Sequence, residues 1–357
     1  MNSDRLGITI VGCGNIAEPY ARNLVTFPQL ELVGMTDLDL SRAESLAAKF
    51  ETRVYPSLEA VLADPGVDLV INLTIHQAHY AVNKQCLEAS KHVVSEKPLA
   101  LTYTEARELV QLAERKGLRL GGTPFTFLGE AQQTAMRLVR EGRLGQVRLA
   151  YAEVNWGRIE TWHPAPQSFY DVGPLFDVGV YPLMLLTALF GPARQVQSYG
   201  RVIYPNRTTK RGKPFEVSAP DFAVTMIEFA DGPLARLTTN FYVLNDPCQQ
   251  GIEFHGDRGS LQLMSWHMFN SAVRLAEFGK PYQDVPLLKE GFSGVQWGMN
   301  VADIADAIRE GRAHRATGEH AAHVVEILTA ATESMRTHRP VALESTFSIP
   351  EPMEWAR

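Results

Sequence analysis

Leu6-Gly7-Ile8-Thr9-Ile10-Val11-Gly12-Cys13-Gly14-Asn15-Ile16-Ala17 is an apolar run that stops on a glycine, and its reading sets the architecture of the first third of the chain. Ile8, Ile10 and Val11 read as a buried strand, and a helical pattern follows from Ala17 to about Phe27. A Gly-x-Gly-x-x-Ala turn between strand and helix is built to receive a pyrophosphate. Gly12 permits the tight turn, Gly14 lets the backbone approach phosphate at the helix N-terminus, and Ala17 allows close helix–strand packing. The next strand, Leu30 to Thr36, ends at Asp37, about 20 residues on, where a ribose-binding carboxylate belongs. Gly12, Cys13, Gly14, Asn15, Ile16 and Asp37 are therefore candidate dinucleotide-binding residues. NAD is expected over NADP, because a 2′-phosphate would be repelled by Asp37 and the next residue is Leu38. Arg42 is the one nearby group able to serve NADP.

Outward from this unit the alternation continues. Helices are read at 41–50, 57–63, 77–89 and 102–116, with strands at 52–55, 67–73, 92–95 and 118–121 between them. Strands alternating with helices imply a parallel, doubly wound sheet. Its fifth strand runs out into Val93-Val94-Ser95-Glu96-Lys97-Pro98-Leu99, where the proline ends the strand. Glu96 and Lys97 are thus placed by rigid backbone at the strand's carboxyl end, the ligand-facing side of such sheets. Thr74, His76 and His79, just after the fourth strand, fall on the same edge and join the candidate cofactor contacts.

After Gly122 the pattern changes. Strand-type runs at 147–154, 196–204, 222–229, 234–242, 251–255 and 260–263, with a hairpin signal at Asp231-Gly232, imply a largely antiparallel sheet. One helix, Leu175 to Phe190, interrupts it, and two more, near 300–309 and 319–336, close the chain. The fold class expected is thus α/β plus α+β: residues 1–123 a doubly wound parallel domain, residues 124–357 a second domain on an open, predominantly antiparallel sheet. Within Asp177-Val178-Gly179-Val180-Tyr181, helical spacing puts a carboxylate and a phenol on one face of an otherwise apolar helix. Upstream, Asn155-Trp156-Gly157 and Thr161-Trp162-His163-Pro164 offer aromatic rings beside hydrogen-bonding groups, a composition suited to a sugar face.

Composition narrows the classes. The 357 residues are 45% apolar and 21% charged, with a net charge of -6, which argues against a nucleic-acid surface. Three scattered cysteines show no metal spacing and fit a reducing, cytoplasmic setting. No leader-type apolar segment precedes Gly12, and no apolar run of about 20 residues, the length of a membrane span, is read.

The glycine fingerprint, Glu96-Lys97-Pro98 and Asp177-Val178-Gly179-Val180-Tyr181 together resemble the Gfo/Idh/MocA oxidoreductases, which include glucose–fructose oxidoreductase and inositol dehydrogenases; the likeness runs essentially the full length of the chain. It implies an N-terminal Rossmann domain, hydride transfer between a nicotinamide and a sugar, inositol or related polyol carbon, and Lys97 and Asp177 as catalytic residues. Many members carry His where this chain has Tyr181; sugar dehydrogenases and the dihydrodiol dehydrogenase type carry Tyr. Lys97, Phe125, Trp162, His163, Asp177 and Tyr181 are the substrate contacts expected on this basis. The reading of the proton chemistry is Tyr181 as the exchanging group, Lys97 as its electrostatic activator and Asp177 as orienter, with Lys97 as base the rival. An open sheet needing cover on its second face implies a homo-oligomer, dimer or tetramer. Two other readings share the fold: a glycosidase that oxidises its sugar transiently on tightly held NAD, and a non-catalytic cofactor-sensing protein.

Overall fold

The computed structural model describes residues 5–244 and 248–357. Apolar, mostly β-branched residues give the strands β1 (Leu6–Val11), β2 (Leu30–Thr36), β3 (Arg53–Val54), β4 (Leu69–Asn72), β5 (His92–Ser95) and β6 (Leu120–Gly122). Between them run α1 (Ala17–Leu24), α2 (Leu40–Phe50), α3 (Leu58–Ala63), α4 (His79–Glu88) and α5 (Tyr103–Lys116). The strands form one parallel sheet in the order β3-β2-β1-β4-β5-β6. The strand order reverses beside β1, the switch point at which such sheets bind dinucleotides. α5 shows how locally these elements are specified. Thr102 and Glu105 form a reciprocal capping box at its start, and Gly117, at φ 65°, closes it.

The remaining elements are α6 (Glu130–Arg140), β7 (Val147–Asn155), α7 (Gln167–Asp177), α8 (Val180–Phe190), β8 (Ala193–Arg201), β9 (Asn206–Thr208), β10 (Pro214–Glu216), β11 (Phe222–Phe229), β12 (Leu234–Asn240), β13 (Gly251–Gly256), β14 (Gly259–Leu263), β15 (Val273–Glu277), β16 (Gln283–Val285), α9 (Met299–Glu310), α10 (Gly318–Thr337) and β17 (Val341–Ala342). Their main sheet has the order β16-β15-β14-β13-β7-β12-β11-β8-β17. Every pairing in it is antiparallel except β12 with β7. Strict alternation along β11 sends Ala223, Thr225, Ile227 and Phe229 inward. The short strands β9, β10, β15, β16 and β17 carry little hydrophobic periodicity and were not anticipated from the sequence.

Three expectations are corrected here. First, the chain does not divide once at 123/124: one compact unit is 1–125 with 296–325, the other 126–295 with 326–357. The chain returns because β6 ends in Gly121 and Gly122, whose bare backbone lets the returning segment pack directly on it. A Cβ on Gly122 would stand 2.2 Å from that of Ala321, and one on Gly121 2.7 Å from Ile304 Cδ1. Second, the single helix read at 175–190 is two. α7 already contains a break at Gly173 (φ 76°), and Val178 and Gly179 separate it from α8. Third, residues 167–190 do form a stretch long and apolar enough to cross a membrane by composition, but 78% of its most apolar window is buried inside the protein. It is core, not a span.

The returning segment brings buried histidines. Burial, with a smaller push from neighbouring His323, lowers the His320 pKa to about 3, and burial lowers that of His314 as well. Both are held neutral when folded. Above the unfolded value of about 6.5 neither state is protonated and stability is unaffected; below it only the unfolded chain gains a proton, so stability falls until the folded pKa is reached. For His320, urea denaturation should lose about 1.4 kcal/mol per pH unit between pH 6.5 and 4.5. His320→Gln should flatten that slope, and an unchanged slope would contradict the assignment.

Candidate active site

The glycine loop is held by the acid that follows β2. Gly12 donates its N–H to Thr36 O at 2.9 Å. Cys13 donates its N–H to Asp37 Oδ2 at 2.6 Å, and Asp39 donates to Asp37 Oδ1 at 2.8 Å. Asp37 therefore shapes the glycine loop, a role that its spacing as a ribose-binding candidate did not show. Gly12 is at φ 97°, and a Cβ there would lie 2.7 Å from Leu73 O. At Gly14 the space a Cβ would take is open, which leaves the backbone of Gly14, Asn15 and Ile16 approachable by a ligand. A polar depression of about 610 Å³ adjoins it, lined by Cys13, Gly14, Asn15, Ser41 and Arg42 among others. This cradle fits the adenosine and pyrophosphate of a dinucleotide. Burial, helped by the Asp37 charge, pushes the Cys13 thiol up to about 12, so it is inert packing. Arg42 Nε lies 3.3 Å from Asp39.

At the carboxyl ends of β4 and β5 a buried polar network fixes the Glu96-Lys97-Pro98 turn. Asn72 Nδ2 donates to Asn83 Oδ1 (2.8 Å) and to His79 O (3.2 Å); Asn72 Oδ1 accepts from the Thr74 hydroxyl (2.6 Å) and the Thr74 N–H (3.2 Å). Asn83 Nδ2 donates to Ser95 Oγ (2.8 Å) and Leu99 O (3.4 Å). Glu96 accepts from the Tyr20 phenol at 2.8 Å and from the Lys97 N–H at 3.1 Å. His79, only 1% exposed, stands between two carbonyls, Pro98 O at 2.7 Å from Nδ1 and Thr74 O at 3.1 Å from Nε2. Burial pulls its pKa down, against the pull of both carbonyls upward. The expectation that His79 touches the cofactor is therefore corrected: the ring is enclosed between two backbone carbonyls, donates to one of them through its single N–H, and clamps the turn. Glu96 likewise spends its carboxylate on Tyr20 and Lys97. Thr74 and His76 are half-buried at the same edge, with the His76 ring 6.0 Å from that of His79. Lys97 is half-buried.

Phe125 is also corrected. It is 1% exposed, with its ring edge-on to Trp297 at 6.3 Å, so it is core rather than a substrate contact.

In the second unit Asp177 is buried, 1% exposed, and is the last residue of α7, while Tyr181 is the second of α8. The one-face helical spacing read from sequence is thus interrupted between them. Tyr181 lies in an aromatic cluster: its ring is 4.9 Å from Trp266 and 6.2 Å from His267, and Trp156 is 5.5 Å from Trp266 and 5.9 Å from His267. Trp266 and His267 sit in the turn between β14 and β15 and were missed, since nothing periodic ties that turn to α8. Trp162, 44% exposed, packs on His163 and Phe169. The segment before it is anchored by Glu160, which pairs with the fully buried Arg207 at 2.9 Å; Arg207 also pairs with Asp221.

A parallel Rossmann sheet with a phosphate-cradling loop, followed by a unit on a mixed sheet, defines an NAD(P)-binding oxidoreductase of two-domain type. Residues 6–122 match the family described as oxidoreductase family, NAD-binding Rossmann fold, and residues 132–262 match the GFO/IDH/MocA C-terminal domain; the chain belongs to the GFO/IDH/MocA oxidoreductase family. It is 29% identical over 224 residues to trans-1,2-dihydrobenzene-1,2-diol dehydrogenase of Macaca fascicularis, a match spanning 62% of this chain and 64% of that enzyme, so less than two thirds of the relative is covered. It is 27% identical over 285 residues to D-glucoside 3-dehydrogenase of Escherichia coli, covering 75% of this chain and 80% of that one. An NAD-binding oxidoreductase from Klebsiella pneumoniae shares the fold, with a TM-score of 0.84 at 21% identity, covering 96% of this chain and all of that one.

Asp37→Ser should weaken NADH binding about 10- to 100-fold, since it removes charge-assisted acceptors from the loop as well as from the ribose. It should also narrow the preference for NADH over NADPH. Fluorescence titration with both nucleotides checks this; unchanged NADH affinity would contradict the loop-holding role.

Proposed function

We propose that the chain is an NAD(P)-dependent dehydrogenase or reductase acting on a secondary hydroxyl, or the matching carbonyl, of a sugar, inositol or related cyclic polyol. The observation that carries this reading is the buried network fixing Lys97 at the carboxyl edge of a dinucleotide-binding sheet. A cofactor sensor has no need of a lysine carried on a turn held so closely. The names of two relatives, one a cyclic vicinal diol dehydrogenase and the other a D-glucoside dehydrogenase, support the substrate class.

A bound nicotinamide would supply the hydride chemistry; the residues manage the proton and the orientation. Free tyrosine and lysine titrate at about 10 and 10.4, so neither is a good base at neutral pH alone. An ammonium favours the phenolate of a tyrosine it accompanies; the roles proposed are Tyr181 exchanging the proton with the substrate hydroxyl and Lys97 as its electrostatic activator. Asp177 orients them.

The same reading extends to assembly and setting. Leu149 and Leu234 pair in register, and Tyr199, Val224, Thr238 and Glu153 form a row on the same sheet face. This half-exposed face is assigned to a second copy of the chain, in a dimer or tetramer, and the setting to the cytoplasm.

The test is NAD+ reduction over a panel of sugars, inositols and glycosides. Net NADH with a free polyol supports the dehydrogenase; aryl-glycoside hydrolysis without net NADH would replace it with a glycosidase. With the best substrate, Tyr181→Phe should keep NADH binding and lose about 10²–10⁴-fold in kcat. If Tyr181→Phe turns over normally from pH 6 to 10 while Lys97→Met is dead, the lysine is the base.

A further inference from the structure

The turn between β14 and β15 puts an imidazole in the Tyr181 cluster, and its hydrogen bonds define which nitrogen carries the proton. Ser265 Oγ accepts the N–H of Met268 at 3.2 Å and, more weakly, the N–H of His267 at 3.4 Å. A hydroxyl oxygen has two lone pairs and one proton. With both lone pairs engaged, the Ser265 proton points to His267 Nδ1, 3.2 Å away, which must then be the acceptor nitrogen. His267 is consequently the Nε2–H tautomer, a neutral donor, by the logic of the network. Among the described residues Nε2 has no hydrogen-bond partner, and it is not one of the enclosed unpaired atoms, so it faces outward.

The surroundings keep the ring in that state and in that place. Trp266 stacks on it with centroids 4.1 Å apart, Trp156 stands edge-on at 5.9 Å, and the Tyr181 ring is 6.2 Å away. Burial among them lowers the His267 pKa to about 4. A neutral N–H donor framed by two indoles matches a ring that offers C–H faces to the indoles and a hydroxyl oxygen to the donor.

Resting on the function proposed above, we propose that His267, oriented by Ser265, is a specificity residue that donates from Nε2–H to a second hydroxyl oxygen on the ring whose hydroxyl Tyr181 serves. The substrate class is thereby narrowed to neutral cyclic compounds with at least two hydroxyls, such as a vicinal diol or unsubstituted sugar ring. An uncharged donor gives no advantage to a carboxylate, so uronates gain nothing here.

Side-chain geometry supplies the test. The amide nitrogen of Gln reaches the position of His Nε2, that of Asn only the position of Nδ1, and Phe keeps the ring without any donor. With the best panel substrate, His267→Phe and His267→Asn should raise KM about ten-fold, the worth of one hydrogen bond, with kcat changed less. His267→Gln should stay within about three-fold of wild type. With the deoxy analogue lacking the second hydroxyl, wild type and His267→Phe should have the same KM. NADH affinity and thermal midpoint should be unaltered throughout. Unchanged KM in His267→Phe, or His267→Gln no better than His267→Phe, would overturn the assignment and reduce His267 to packing. If wild type turns over no panel compound, the proposed function fails separately. The His267 assignment is then read from quenching of tryptophan fluorescence by the same compounds: Kd must follow the same order of variants, and no quenching by any compound overturns it.

Discussion

The turn that carries Lys97 cannot hydrogen-bond as a strand, because Pro98 has no N–H and ends β5. Its backbone polar groups are buried, and each would cost about 1–3 kcal/mol if left without a partner. Specific groups meet them: Glu96 N–H is met by Asn72 O, Glu96 O by the Ser95 hydroxyl, Lys97 N–H by the Glu96 carboxylate, Pro98 O by the His79 ring and Leu99 O by Asn83. Asn72, Asn83 and Ser95 are fully buried and His79 nearly so, so these bonds do not compete with water. A fully satisfied buried network permits one arrangement and penalises the rest. That is how a short polar turn on an apolar sheet becomes a rigid mount for an ammonium group.

A second economy lies in Asp37. Its two oxygens are taken by the N–H groups of Cys13 and Asp39, so the carboxylate that would meet a ribose also braces the loop that would meet the phosphates. Loop shape and ribose recognition are thus coupled through one side chain. The nearby cations are similarly engaged: Arg42 with Asp39, and Lys49 with Glu18.

In the second unit the chemistry rests on a different principle. Asp177 and Tyr181 come from the ends of two short helices, whereas Trp156 follows β7 and Trp266 and His267 follow β14. Aromatic packing, rather than a backbone-anchored polar network, brings them together. Such a cluster tolerates exchange of one ring for another more readily than the first unit tolerates loss of an asparagine, which makes it the natural place for substrate preference to vary on a constant fold.

The sequence by itself determined the parallel sheet, its glycine loop, Asp37, and the emergence of Lys97 at a strand end. Each is written in contiguous residues, through hydrophobic period, turn chemistry and capping. The long strands of the second sheet and the two closing helices were legible for the same reason. Only the tertiary structure decided that His79 and Phe125 are structural, that β6 is covered by a segment returning from residue 296, that Asp177 and Tyr181 lie on separate helices, and that Trp266 and His267 pack on the tyrosine with Trp156 against both of them. These facts depend on which side chain meets which across dozens of residues: on a carbonyl at Pro98 finding an imidazole, or on two glycines leaving room for Ala321. Local periodicity carries no record of such meetings; packing and the demand that every buried polar group find a partner settle them.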